Sequence, residues 1–467
     1  MRGTGELWSW DAVDIARAVR TRLISSREAV LACLGRIEEV NPRINAVVEM
    51  RAEEALDMAD AADRAVCRGA DIGPLLGVPV TIKINVDQAL YATSNGVVAF
   101  KDRVASQDSP VVANLRKAGA VFIGRTNTPA FSHRWFTAND AHGETLNPRN
   151  ERLTPGGSSG GAASAVAAGF GPLALGNDYG GSIRYPAYAC GVLGLRPTIG
   201  RVPAFNATSV ERPVTAHLMS VQGPLARTVR DLRVGLAAMA AADPRDPCWT
   251  PAPLDGPSLF RPIRVAMSVD PFGRGVHPSV EDSVRTAARC LTNAGYLVEE
   301  VQLPRISEAA DLWTLLAMND SRRALLPAVL AYGDAATQHV LQTMLHNTPQ
   351  VDLDSYTEGL ERRTTILREW LIFLERFPLA LLPVSMEPPF EQHLDLQGAE
   401  VMGSIMKAQA PLLSLAVLGL PAISVPTSVR GGIPLGVQLV ASRFREDICL
   451  DAAEVLEAQC PIPIAQL

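Results

Sequence analysis

Apolar residues recur at helical spacing early in the chain, at Val30, Leu31, Leu34 and Ile37 of "SSREAVLACLGRIEEV", which predicts an amphipathic helix. Ser25 and Glu28 have capping-box spacing at its start, and Asn41-Pro42 is expected to end it. With the segment before it, this makes a helical hairpin. A third helix is expected over about 51–67, stopping near Gly69. The pattern then alternates. "GVPVTIKINV" reads as a strand, "PVVANLRKAGA" as a helix capped by Ser109, and "AVFIGRTN" as the next strand. Further on come helix "RTVRDLRVGLAAMAA", strand "IRVAMSV", helix "VEDSVRTAARCLTNAG" and strand "YLVEEVQL". A nearly all-helical stretch from about 305 to 376 follows, then strands "LALLPV", "AISVPT" and "PLGVQLVA" and a closing helix. Strands alternating with helices predict an α/β fold, with a mixed, mostly parallel twisted sheet covered by helices on both faces. No repeat, low-complexity tract or linker interrupts the 467 residues. One large domain is therefore expected, with the helical stretch as a cap or insertion over it.

Composition narrows the class. Hydrophobic residues make up 47%, enough for a sizeable core, and the net charge of −6 argues against a broad basic surface for nucleic acid. The seven cysteines are scattered without a CxxC pair, as expected of reduced thiols in a cytoplasmic protein and not of a disulfide framework or zinc site. The opening "MRGTGELWSWDAVDIARAVR" lacks an apolar leader core, and the most apolar run, "LLSLAVLGLPAISVP", is broken by Gly419 and Pro421. No membrane span is expected.

Two glycine-bracketed serines call for a chemical reason: "LTPGGSSGGAASAVAAG" around Ser158, and "GNDYGGSIRYPAYACG" around Ser182. Phosphate cradling does not fit, because no GK[ST] or GxGxxG pattern is present. Gly157-Ser158-Ser159-Gly160-Gly161 satisfies GxSxG, but the polar approach "NPRNERLTP" is a loop, where a nucleophile elbow needs an apolar strand. Lys83 offers a third reading. It sits between Ile82 and Ile84 in an apolar strand, and only Lys83, Lys101, Lys117 and Lys407 among 43 basic residues are lysine. A desolvated lysine can lose its proton near neutral pH, whereas arginine cannot. Taken alone, Lys83 reads equally as a strand-end lysine reaching for water. Together with the serines it makes a Ser–Ser–Lys relay, the triad logic with lysine as base.

At this point the sequence resembles the amidase signature family. "PGGSSGG" followed by "GGSIRYPA" matches its hallmark, with "GVPVTIK" upstream, 75 positions from Lys83 to Ser158 and 24 from there to Ser182. The likeness runs from about residue 10 to 458, with a core signature region over about 76–205. It implies an amidohydrolase that splits a carboxamide C–N bond through an acyl-enzyme. Ser182 would be the nucleophile, Ser158 on a cis peptide bond the relay, and Lys83 the base. The amides of Tyr179, Gly180, Gly181 and Ser182 would form the oxyanion hole, with Ser159, Asp178 and Arg184 in support. No metal or organic cofactor is expected. The expected partner is a small-molecule amide, with neither nucleic acid nor membrane; a homodimer is compatible with this reading. His133, Trp135, Phe136, Trp313 and Met318 are expected around the pocket, suggesting a small aryl or arylalkyl amide, although the same rings would serve as ordinary packing. Cys190 is expected in the core. The chain departs from the family at Asn177, where GTD is frequent, at Ile84, where an acid is frequent, and at Ala130 in "TNTPAF". The resemblance also admits two other activities. One is the glutaminase component of a glutamine-dependent tRNA amidotransferase, in which a polar "SIRQPA"-like stretch stands where this chain has Tyr185. The other is ester, hydrazide or carbamate hydrolysis by the same triad.

Overall fold

The computed structural model describes residues 6–70, 73–209 and 211–467. Residues 1–5, part of the opening stretch read above, lie outside the described residues. In chain order the strands are β1 (Val47–Glu49), β2 (Pro79–Lys83), β3 (Val121–Thr126), β4 (Ala138–Asn139), β5 (Gly143–Glu144), β6 (Leu173–Asp178), β7 (Leu193–Arg196), β8 (Val221–Ala226), β9 (Arg264–Met267), β10 (Leu297–Glu300), β11 (Leu379–Pro383), β12 (Ala422–Arg430) and β13 (Ile433–Ala441). Eleven of them form one sheet in the order β1-β3-β2-β6-β8-β7-β12-β13-β11-β9-β10, and β4 pairs with β5 as a small separate hairpin. The sheet is mixed, as expected, but it is not mostly parallel. Parallel pairing is confined to β2 with β3 and β6, and to β9 with β10 and β11; every other neighbouring pair is antiparallel. The β12–β13 pair is a hairpin closed by Gly431-Gly432, which forces antiparallel strands.

Period-two burial along the strands divides the core. In β11, Leu379 and Leu381 face one side, with Val80, Ile82, Leu173 and Leu175 of β2 and β6. Ala380 and Leu382 face the other, with Trp313, Trp370 and Leu412. Helices Pro110–Lys117, Val229–Met239, Pro278–Asn293 and Glu446–Gln459 contribute to the first layer. The second is built by the helices Ile306–Ala324, Leu326–Tyr332, Ala335–His346 and Leu353–Arg376, together with Ala399–Ala408 and Ala410–Leu418. No single helix among the described residues is long and apolar enough to cross a membrane.

The capping box of Ser25 and Glu28 is formed, but the helix it starts runs through Pro42 to Ile44. Pro42 sits in the last turn, where it removes a single helical bond. The chain leaves the helix at left-handed Asn45, while the Asn41 side chain accepts from the amides of Ala46 and Val47. Ser109 occupies its cap position without making the side-chain cap bond.

The topology places the chemistry. β2 and β6 are parallel neighbours, with Ile82 opposite Leu175, so Lys83 at the carboxyl end of one strand lies beside Asn177 and Asp178 at the end of the other. Sites in open α/β sheets gather at such strand ends. Helix Gly160–Ala168, buried along its whole length, crosses directly behind them. Only small residues allow this: a Cβ at Gly161 would come within 2.4 Å of the Asn127 amide nitrogen.

Asp178 ties the loop after β6 to the sheet. Its carboxylate accepts from the amides of Gly181 (2.9 Å) and Ile183 (3.2 Å), from Arg184 Nε (3.0 Å) and from an Arg196 guanidinium nitrogen (3.0 Å). All three charged side chains are fully buried. Burial pushes the carboxyl upward, but the two guanidiniums outweigh it and hold Asp178 well below the usual carboxylate range. The stability this contributes is present above the unfolded carboxyl value and is lost only as pH falls through the lower folded one. Asp178→Asn would leave two buried cations short of their counter-charge, so its expected cost is about 3–5 kcal/mol. Urea melts at pH 5 and at pH 8 should show similar losses, since the wild-type carboxylate is ionised at both.

Candidate active site

Lys83 is completely buried. Its Nζ lies 2.7 Å from Ser158 Oγ, 3.0 Å from Ser159 Oγ and 2.7 Å from Asn177 Oδ1. Burial drives its pKa well below the ordinary lysine value, against an opposing pull from Asp178. A neutral amine has two N–H donors and one lone pair, and the three partners sort themselves accordingly. Asn177 Oδ1 can only accept, because the other end of that amide donates to Asn85 Oδ1 at 2.9 Å. Ser159 also accepts from the lysine, its own proton directed at the Asn177 carbonyl at 3.3 Å. In the uncharged form of the amine this leaves the lone pair facing the Ser158 hydroxyl; as an ammonium, Lys83 donates to all three.

Ser158 follows a cis Gly157–Ser158 peptide bond. Its carbonyl accepts from Thr128 Oγ1 at 2.9 Å. The glycine before it is required by close approach: a Cβ there would lie 2.4 Å from the Arg134 carbonyl oxygen and 2.6 Å from the Phe136 nitrogen. The two serine loops meet through the backbone, where the Ser159 amide donates to the Ser182 carbonyl at 3.2 Å. Ser182 is partly exposed at the pocket floor. Its hydroxyl has no hydrogen bond among the described residues, so the Ser158-to-Ser182 step is not closed by a side-chain bond here. Such contacts often tighten only once substrate is bound.

In the loop from Tyr179 to Ser182, each of the first three peptides is anchored by its carbonyl. Trp313 Nε1 donates to the Tyr179 carbonyl at 3.1 Å, Trp135 Nε1 to the Gly180 carbonyl at 3.0 Å, and the Tyr185 amide to the Gly181 carbonyl at 2.8 Å. The amides of Tyr179, Gly180 and Ser182 have no partner among the described residues. The expectation for Gly181 needs correction: its N–H is given to Asp178 and not to the pocket. Gly181 has φ +104°, and a Cβ would meet Leu412 at 2.6 Å, so only glycine can make this bend.

The cavity over Ser182 is lined by His133, Trp135, Phe136 and Trp313 as expected, and by Met344 and Met402 besides. Met318 does not reach it. It lies five residues after Trp313 on the same helix, on a different face, and is wholly buried in the core. Phe136 stacks on Phe390 with centroids 6.1 Å apart. Burial holds the His133 imidazole near pKa 4, neutral at physiological pH, and its Nε2 has no partner among the described residues. The cavity edge is pinned by a buried bidentate pair, Arg134 with Asp395, at 2.8 and 3.0 Å. Asn85, Asn177, Ser132 and Asp395 were not anticipated as site residues. Asn177 alone carried a sequence signal, as a departure from GTD. Cys190 is buried beside Ser164 as a core residue, and Tyr185 is buried against Phe390, away from the cavity.

The family model described as Amidase matches residues 28–450. An indoleacetamide hydrolase of Bradyrhizobium diazoefficiens is 45% identical over 97% of this chain and 87% of its own length. A glutamyl-tRNA(Gln) amidotransferase chain of Moorella thermoacetica is 33% identical over 97% of each chain. Among solved structures, a bacterial aryl acylamidase of the amidase signature enzymes superposes with a TM-score of 0.84 at 26% identity, covering 97% of each chain. With the paired serine loops and the buried lysine already in place, these matches make the chain a member of the amidase signature family, a hydrolase acting on C–N amide bonds.

Proposed function

We propose that this enzyme hydrolyses a small arylalkyl carboxamide of the indoleacetamide type, releasing carboxylate and ammonia in the cytoplasm, with Ser182 as nucleophile, Ser158 as relay and Lys83 as base. The observation that carries this reading is the 2.7 Å contact between Ser158 Oγ and a buried Lys83 amine, beneath a cavity walled by Trp135, Phe136, Tyr179 and Trp313. The identity to the indoleacetamide hydrolase supports the substrate class.

In this mechanism Ser182 Oγ bonds to the amide carbon while its proton passes to Ser158, whose own proton moves to the Lys83 lone pair. The developing oxyanion is met by the amides of Tyr179, Gly180 and Ser182. Lys83 returns its proton through Ser158 to the departing nitrogen as the C–N bond breaks. Water then attacks the acyl-ester, giving up its proton through the same relay, and Ser182 is released. The helices of the 305–376 segment serve as a cap, contributing Trp313, Val340 and Met344 to the wall. Ser159, Asp178 and Arg184 hold the geometry.

Intact-protein mass spectrometry after treatment with a fluorophosphonate should show one adduct, absent from Ser182→Ala. A folded wild-type protein that takes no adduct would remove the nucleophile assignment. In an amide panel, indole-3-acetamide and phenylacetamide should be turned over well ahead of acetamide, and glutamine poorly; preference for glutamine would transfer the reading to the amidotransferase branch. Trp135→Ala should lower the ratio of aryl to short aliphatic turnover by about tenfold or more, on the scale of one lost hydrophobic contact of 1–3 kcal/mol. An unchanged ratio would discard the aryl pocket.

The pH dependence has a definite sign. Lys83 works as a base only when neutral, and its pKa lies below the ordinary lysine value. kcat/KM should therefore fall on acidification through the lowered value and level off above it. Lys83→Met should remove most activity and flatten that acid limb; a residual activity with the wild-type limb would exclude Lys83 as the titrating group.

A further inference from the structure

We propose that Asn177 is the residue that positions the Lys83 lone pair, and that an uncharged chain running Asn177–Asn85–Ser132 holds it for that purpose. This rests on the assignment of Lys83 as base. Asn177 offers Lys83 an acceptor that cannot itself be titrated, 2.7 Å from Nζ. Its amide cannot turn round without breaking the 2.9 Å donation to Asn85 Oδ1. Asn85 cannot turn either, because its Nδ2 donates to Ser132 Oγ at 2.9 Å while its main-chain carbonyl accepts from Asn206. Ser132 is fixed by a 2.6 Å donation to Asn95 Oδ1 and lies 2.9 Å from Thr128 Oγ1, the same hydroxyl that donates to the Ser158 carbonyl. The chain thus reaches the residue that holds the Ser158 carbonyl, but by contact only: with their single protons given to Asn95 and Ser158, the Ser132 and Thr128 hydroxyls touch without a hydrogen bond between them. It is also maintained against backbone strain: Phe131 and Ser132 are consecutive non-glycine residues with φ of +56° and +55°, a conformation that crowds Cβ against the backbone. Such strain persists where the surroundings over-determine the position.

The charged groups near Lys83 are held by other partners, although Asp178 pulls the lysine pKa upward against burial. On β6, Asp178 is occupied by Arg184 and Arg196. From the turn after β2, Asp87 accepts from the hydroxyls of Thr93 and Thr208. On β3, Arg125 donates to the main-chain carbonyls of Ile84 and Val86. Across the cavity the His133 imidazole is neutral, and the Tyr179 phenol donates to Thr215. None of these groups bonds Nζ. A carboxylate in place of the Asn177 amide would put an anion against the amine and favour its protonated, inactive form.

The test is the rate of Ser182 labelling by the fluorophosphonate as a function of pH, followed by intact mass in wild type, Asn177→Asp, Asn177→Leu and Asn85→Asp. Asn177→Asp should move the acid limb upward by about 1–3 pH units, cutting labelling at pH 7 by tenfold for each unit the limb passes beyond it. Asn85→Asp, with the charge one residue further from the amine, should move the limb in the same direction by less, and stands as the test if Asn177→Asp does not fold. Asn177→Leu, which removes the acceptor without adding charge, should slow labelling about tenfold with no upward shift. If the variants fold and lose rate in proportion at every pH, with the wild-type limb retained, the role is structural and the proposal is overturned. A wild-type protein that is not labelled at Ser182 fails earlier, at the nucleophile assignment, and this inference falls with it.

Discussion

A primary amine with no water around it must either keep its proton with the help of an anion or lose it. Lys83 is surrounded by two hydroxyls and an amide oxygen, and among the described residues no carboxylate touches it. The neutral form is therefore favoured by burial and directed by hydrogen bonding. The proposed relay depends on this arrangement, which the local architecture holds in place. The parallel pairing of β2 with β6 places Asn177 beside the lysine. The helix beginning at Gly160 brings Ser158 and Ser159 to its other side.

The glycines serve this geometry by letting backbones touch. Gly157 lies against the Arg134–Phe136 segment, Gly161 against Asn127, and Gly180 under the Trp313 ring, where a Cβ would lie 2.6 Å from the indole. The loops are glycine-rich because three segments of main chain and an indole ring converge on a volume too small for side chains. The resulting contacts fix the serines more firmly than mobile loops could.

Lys83, Ser158 and Ser182 stood out in the sequence because each breaks a local rule, and the fold sets Lys83 against Ser158 and the Ser158 loop against the Ser182 loop. Lys83 is a lysine in an arginine-rich chain and a polar residue in an apolar strand, and the serines stand in glycine where a helix or strand would exclude it. The outer strands and helices were legible from periodicity. The centre of the sheet was not. β6, β7 and β8 are short and buried on both faces, and glycine or proline interrupts each of β6 and β8, so no period-two alternation survives. The antiparallel pairings there, and with them the true mixture of the sheet, come from tertiary packing. Met318 was misplaced because its closeness to Trp313 in sequence was read without the helix period, which turns a residue five positions on to another face, and the diversion of the Gly181 amide follows from a carboxylate three residues away whose partners, Arg184 and Arg196, are set by the fold. Asn85 and Ser132 are ordinary polar residues in sequence; their role exists only once β2 and the 127–132 segment lie side by side.

The aromatic wall of the pocket has a second consequence for how specificity and rate are linked. Trp135 and Trp313 each spend their indole N–H on a carbonyl of the Tyr179–Gly180 segment. Because a peptide is planar, fixing the Tyr179 carbonyl also fixes the direction of the Gly180 N–H, one of the amides left free for an oxyanion. The rings that would contact an aryl substrate therefore also hold the donors that would stabilise its transition state. A change at either tryptophan should be felt in rate as well as in preference. Only a ratio of substrates measured on the same variant separates the two effects, since a displaced oxyanion donor slows every amide alike, whereas a lost ring contact slows the aryl amide alone.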